Sequence, residues 1–145
     1  MNNITPEIIT TLKENEVFVF GSNTQGRHGK GTALLAKQKF GAIYGQARGL
    51  QGQSYAIVTK DLTPNSFKTR DRNVPLYSIQ KEISEFISFA DDHPQLQFLV
   101  TKIGCGLAGY SIEEIASLFP QSCEIPNNVS LPKEFWDIIN EREDT

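Results

Sequence analysis

Short apolar runs alternate with amphipathic stretches along this chain. Val17 to Phe20, Tyr55 to Thr59 and Gln97 to Thr101 are β-branched and aromatic, with little polar alternation. That pattern predicts strands buried on both faces, as in a parallel sheet. Between them the apolar period lengthens to that of a helix. Thr5-Pro6-Glu7 reads as a helix start, with Thr5 as cap and Pro6 in the first turn, running to about Lys13 with Ile8, Ile9 and Leu12 inward. Thr32 to Phe40 predicts a helix with Ala33, Ala36 and Phe40 on one face, ended by Gly41. Ile79 to Ala90 predicts another, burying Ile79, Ile83, Phe86, Ile87 and Ala90. Ser111 and Glu114 form a capping box before Ile112, Ile115, Ala116 and Phe119. Ser122 to Ile125 reads as a short last strand, and Pro132 to Ile139 as a closing helix that packs Phe135, Trp136 and Ile139.

Strands alternating with helices, without repeats, predict a single α/β domain over residues 1–145. The expected fold is a three-layer α/β/α sandwich around a mostly parallel, mixed sheet. Leu62 to Ser78 has two prolines and no stable period, so it is expected to be a long loop or lid. Residues 140–145 are charged and expected to fray.

Two of the strands run directly into glycine-rich loops, GSNTQGRHGKGT after Phe20 and KIGCGLAGYS after Thr101. Ligands of open α/β sheets gather beyond the carboxyl ends of the strands, where glycines let backbone N–H groups approach phosphate oxygens. Two such loops on one sheet would form a two-sided cradle for an anion. Neither has P-loop or GxGxxG spacing.

Charge adds to this picture. The net charge is −3, yet Val17 to Asn73 carries nine Lys or Arg against two Asp, while the rest is acidic. Such asymmetry focuses anionic ligands on one side of a fold, although each lysine taken alone is also an ordinary solvated side chain. The overall acidity makes a general nucleic-acid partner unlikely. No apolar run is long enough for a membrane span, and the N-terminal stretch lacks the features of a signal peptide. The two cysteines, Cys105 and Cys123, and the two histidines, His28 and His93, form no metal-ligand pattern. No metal or cofactor is expected, and a reduced cytoplasmic setting is the expected location.

The two loops, in this order, resemble those of the macrodomain fold. FGSN, Phe20 to Asn23, stands where macrodomains carry NAAN, and HGKGTAL, His28 to Leu34, stands in place of a GGGVDGAI-like loop. IGCGLAGYS is similar to an ISTGIYGYP-like loop through Ile103, Gly106, Gly109 and Tyr110. The resemblance spans Val17 to Phe119. It implies an ADP-ribose-like nucleotide, free or carried on an ADP-ribosylated macromolecule, as the partner. It also implies a diphosphate held by Gly26, Gly29, Lys30 and Gly31 on one side and by Gly104, Cys105, Gly106, Leu107, Ala108, Gly109 and Tyr110 on the other. Gly21 and Ser22 would lie at the strand end, and Asn23 would bond the distal ribose. The alternative for Asn23 is a turn residue bonding its own backbone. The chain departs from the family in two places: no Asp precedes Asp61 to read adenine, and Gly31 stands near the Asp that some members use in hydrolysis.

If the chain hydrolyses an ADP-ribosyl bond, Asn23, His28 and Asp61 are the candidate catalytic residues, with His28 or Asp61 as base. The alternative for His28 is a surface histidine that merely contacts a phosphate or solvent. Arg70 and Arg72 would form a lid over phosphates, or be ordinary loop charges. Cys105, between glycines, supports a rival reading as the nucleophile of a hydrolase or transferase acting on a non-nucleotide substrate. The alternative for it is a small buried hydrophobe. A third reading is a non-catalytic protein-interaction module.

Overall fold

The computed structural model describes residues 2–64, 72–106 and 108–144. At its centre lies β1, Glu16–Asn23. It pairs in parallel with β3, Ser54–Lys60, on one side and with β4, Gln97–Val100, on the other. The sheet order is β2-β3-β1-β4-β5, where β2 is Gly49–Gln51 and β5 is Val129–Ser130. Only β2 runs antiparallel, so the sheet is mixed and mostly parallel, as expected.

Alternation along β1 divides the core. Phe18 and Phe20 pack with Ala33, Ala36 and Phe40 beneath α1, Gly31–Lys39. Val17 and Val19 face the opposite layer. That layer consists of α2 (Leu76–Asp91), α3 (Ile112–Ala116) and α4 (Lys133–Glu143). Buried on both faces, β1 must be apolar throughout, which is why VFVF shows no alternation. The result is the three-layer sandwich.

Several elements differ from the sequence expectation. Residues 5–15 form no helix. Ile4 instead makes a parallel bridge with Leu131, and Thr5 N–H donates to the Leu131 carbonyl at 2.8 Å. Adjacent β-branched residues, Ile8-Ile9 and Thr10-Thr11, lower helix propensity there, and the sheet edge takes the expected cap residue Thr5 into its own bonds. Ser122–Glu124 is a 3-10 turn, and the last strand forms later, at Val129. Helix α2 begins at Leu76, within the stretch expected to be loop, because Pro75 occupies its N-cap position. Helix α4 extends to Glu143, which accepts from the Ser122 amide at 2.6 Å and its hydroxyl at 2.9 Å, so most of the expected tail is helical. The short strand β2 was not foreseen. Gly49 and Gly52, both at positive φ, turn the chain around it.

Candidate functional site

The carboxyl ends of β1 and β4 carry the two glycine loops, and each loop is held by its own internal bonds. In the first, Asn23 Oδ1 accepts from the amides of Gln25 at 3.2 Å and Arg27 at 2.9 Å, while Nδ2 donates to the Arg27 carbonyl at 2.8 Å. Asn23 thus works mainly as a staple of its own turn. One Nδ2 hydrogen remains beyond these bonds. Gly26 is buried with φ of +64°, and a Cβ there would lie 2.5 Å from the Gly45 carbonyl carbon. Its role is close backbone packing. Gly29 and Gly31, by contrast, face open space.

His28 lies beneath this loop, not on its surface. It is fully buried, edge-on to Phe20, with Nε2 3.3 Å from the Ser22 hydroxyl. Burial first, and then the Lys37 ammonium, lower its pKa. Its Nδ1 is buried without a hydrogen bond among the described residues. A neutral imidazole packed in this way is a support for Ser22 and the strand end.

The second loop is tighter. Cys105 N–H donates to Lys102, Gly109 N–H to Gly106, and Tyr110 N–H to Gly104, at 3.2, 2.8 and 2.8 Å. Gly104 is at positive φ, and a Cβ on Gly109 would strike the Gly104 carbonyl oxygen. Gly106 is exposed and faces open space. The amides of Gly106 and Ala108 donate to no protein acceptor among the described residues. Leu107 and Arg70 lie outside the described residues. Cys105 Sγ contacts the carbonyls of Ile103 and Ser111, and burial pushes its pKa up to about 11. A protonated, partly buried thiol is a poor nucleophile.

Asp61 follows β3. Its Oδ1 accepts from the Thr63 amide at 2.8 Å and the Thr24 hydroxyl at 3.4 Å. Arg72 donates to the carbonyls of Asp61 and Thr63, at 2.9 and 3.0 Å, and so braces the chain after β3. Lys30 is exposed at the start of α1, where no side chain caps the helix. The first-turn amides there have no intrahelical acceptors.

Beside both loops opens a cavity of about 580 Å³ that the sequence reading did not find. Ile4, Ile8, Ile9, Phe18 and Leu35 give it apolar walls, and Thr32 and Lys102 stand where it meets the two loops. Ile8 and Ile9, expected on the inward face of a helix, line this cavity instead, and Ile8, 79% exposed, stands at its open rim. Thr5 also lines it; the residue is 7% exposed, and its hydroxyl is buried with no partner among the described residues. Lys102 is bonded to Glu134 at 2.9 Å, with Glu7 at 4.0 Å, so the rim is charged but paired. The adjacent β-branched residues after Pro6 were the one available sign that this segment would be a wall and not a helix.

Among the described residues no helix is long and apolar enough to cross a membrane, and no cluster of His, Cys, Asp or Glu could hold a metal ion. No protein-family model and no curated protein matches the chain. Among solved structures it is similar to a protein of unknown function from Bacteroides thetaiotaomicron, at 18% identity and a TM-score of 0.54, over 84% of this chain and 88% of that one. It is also similar to a macrodomain protein from Streptomyces coelicolor, at 14% identity and a TM-score of 0.52, over 86% of this chain and 92% of that one. The mixed sheet, its flanking helices and these likenesses agree with the loop motifs: the chain has a divergent macrodomain-like fold.

Proposed function

We propose that this chain binds ADP-ribose or a closely related nucleotide diphosphate derivative. The observation that carries the reading is the continuity of the apolar cavity with both glycine loops through Thr32 and Lys102. A nucleobase fits the apolar walls, since pockets of this size bury planar rings with few polar contacts. The diphosphate then lies between the first turn of α1 and the amides of Gly106 and Ala108. Among the described residues the Gly106 and Ala108 amides donate to no protein acceptor, the first-turn amides of α1 have no intrahelical acceptors, and the helix end adds favourable electrostatics. The distal ribose reaches the end of β1, where Asn23 has one hydrogen left to donate.

The candidate catalytic groups support binding more than turnover. His28 is buried, the Asp61 carboxylate accepts bonds from its own loop, and the Cys105 thiol is held protonated. None stands as an exposed base beside the proposed ribose position.

Calorimetric titration with ADP-ribose, with AMP and NAD as controls, tests the reading. Saturable ADP-ribose binding that disappears in Leu35→Trp, which fills the cavity, is the expected result, provided the variant melts as the wild type does. No heat at millimolar ADP-ribose would overturn it.

A further inference from the structure

The second glycine loop is pinned from outside at both residues flanking Gly109. Lys60 Nζ and Asn73 Nδ2 each donate to the Ala108 carbonyl at 3.0 Å. Tyr110 donates its hydroxyl to the Val74 carbonyl at 2.7 Å. The three anchoring positions form one unit. Lys60 and Asn73 are bridge partners, and Val74 N–H donates to the Thr59 carbonyl at 3.1 Å, which ties the segment before α2 to the end of β3.

The pinned residue is itself unusual. Ala108 holds φ of +62°, a left-handed conformation that a residue with a Cβ adopts at a cost. Neighbouring structure must over-determine such a conformation, and backbone outliers of this kind concentrate at ligand clamps. Within the loop, the Gly109 N–H, which donates to the Gly106 carbonyl, holds one edge of the peptide plane that follows Ala108. The Lys60 and Asn73 bonds hold the carbonyl edge of that same plane from outside the loop.

We infer that Lys60 and Asn73 are positioning residues, which hold the Ala108 turn so that the Gly106 and Ala108 amides are preset for an anionic group. The assignment rests on the binding reading for its ligand but not for its geometry. Preorganised donors bind a phosphate without first having to be ordered, so the effect falls on affinity more than on folding. The chain thereby uses the end of β3 and its bridge partner Asn73, besides the loop's own bonds, to shape a site whose amides come from the β4 end.

The test combines amide exchange by NMR on the ligand-free protein, calorimetry with ADP-ribose, and thermal melting. The variants are Lys60→Met, Lys60→Arg, Asn73→Ala and the Lys60→Met/Asn73→Ala double. Each single loss of a donor should speed exchange at Gly109 and Tyr110 and weaken ADP-ribose about five- to tenfold, with the double weaker still. Lys60→Arg should restore most of both effects, because a donor returns at that reach. Melting temperatures should stay close to wild type. Unchanged loop exchange in the double variant would overturn the inference, as would failure of Lys60→Arg to rescue. If the wild type binds no ADP-ribose while the variants still loosen the loop, the binding reading fails and the positioning role stands.

Discussion

Asn23 and Arg27 are joined twice: the asparagine amide accepts from the Arg27 N–H at 2.9 Å and donates to the Arg27 carbonyl at 2.8 Å. This closed ring of bonds makes Asn23 the template of the first glycine loop. Asn23→Ala should therefore destabilise the fold by about 1–3 kcal/mol, the range for removing bonds that leave partners unpaired. Asn23→Asp keeps the acceptor and loses the donor, so it should lie between. Urea unfolding of both variants checks the order. Alanine and aspartate variants as stable as wild type would remove the staple role.

His28 gives stability a pH dependence of known sign. Its folded pKa is lowered below the ordinary value of 6.5 by burial and then by Lys37. As pH falls through about 6.5, the unfolded chain takes up a proton that the folded chain refuses, so stability declines. The loss continues until the folded pKa is reached and then stops growing. His28→Gln should melt lower at neutral pH but lose this component of the acid decline. Melting curves of wild type and variant at matched pH values isolate it by difference. Parallel declines would show that His28 is not the source.

The cysteines should differ in reactivity. With its pKa pushed up to about 11, Cys105 is almost wholly protonated at neutral pH. Cys123 is exposed. Iodoacetamide should label Cys123 first, and Cys105 only as the pH is raised towards its pKa, as read by peptide mass spectrometry. Cys105→Ser should keep ADP-ribose binding. Rapid neutral labelling at Cys105, with loss of activity, would instead favour the thiol-dependent enzyme.

Thr5 separates stability from binding. Its hydroxyl is buried at the cavity wall and makes no hydrogen bond among the described residues. Thr5→Val removes an unsatisfied group at nearly constant shape, so stability should rise by about 1 kcal/mol. If the nucleotide uses that hydroxyl, the same variant should lose about fivefold in ADP-ribose affinity. Thermal melting and calorimetry read the two effects separately. A loss of stability would mean that the hydroxyl is satisfied by solvent.

Much of the fold was legible because its elements are locally consistent. VFVF has no polar position to place in water, so burial on both faces follows directly. The spacing of Ala33, Ala36 and Phe40 defines one helix face, and Ser111 with Glu114 marks a helix start. The Thr5 to Lys13 expectation failed because a proline start and an apolar count outweighed β-branching. The sheet edge at Leu131, distant in sequence, took the expected cap residue Thr5 into its own hydrogen bonds. The short strands β2 and β5 carry too few residues to show a period.

Sequence alone determined the three central strands, the helices around Ala33, Ile83, Ile115 and Phe135, the glycine loops at two strand ends and the macrodomain-like pattern they make. These follow from periodicity and backbone freedom, which act over a few neighbouring residues. Only the tertiary structure decided which glycines face open space and which are packed, as Gly29 and Gly106 differ from Gly26. It also placed His28 under the loop and brought Lys60 to Ala108. These outcomes depend on what lies across the sheet, set by packing between segments that the order of residues does not place side by side.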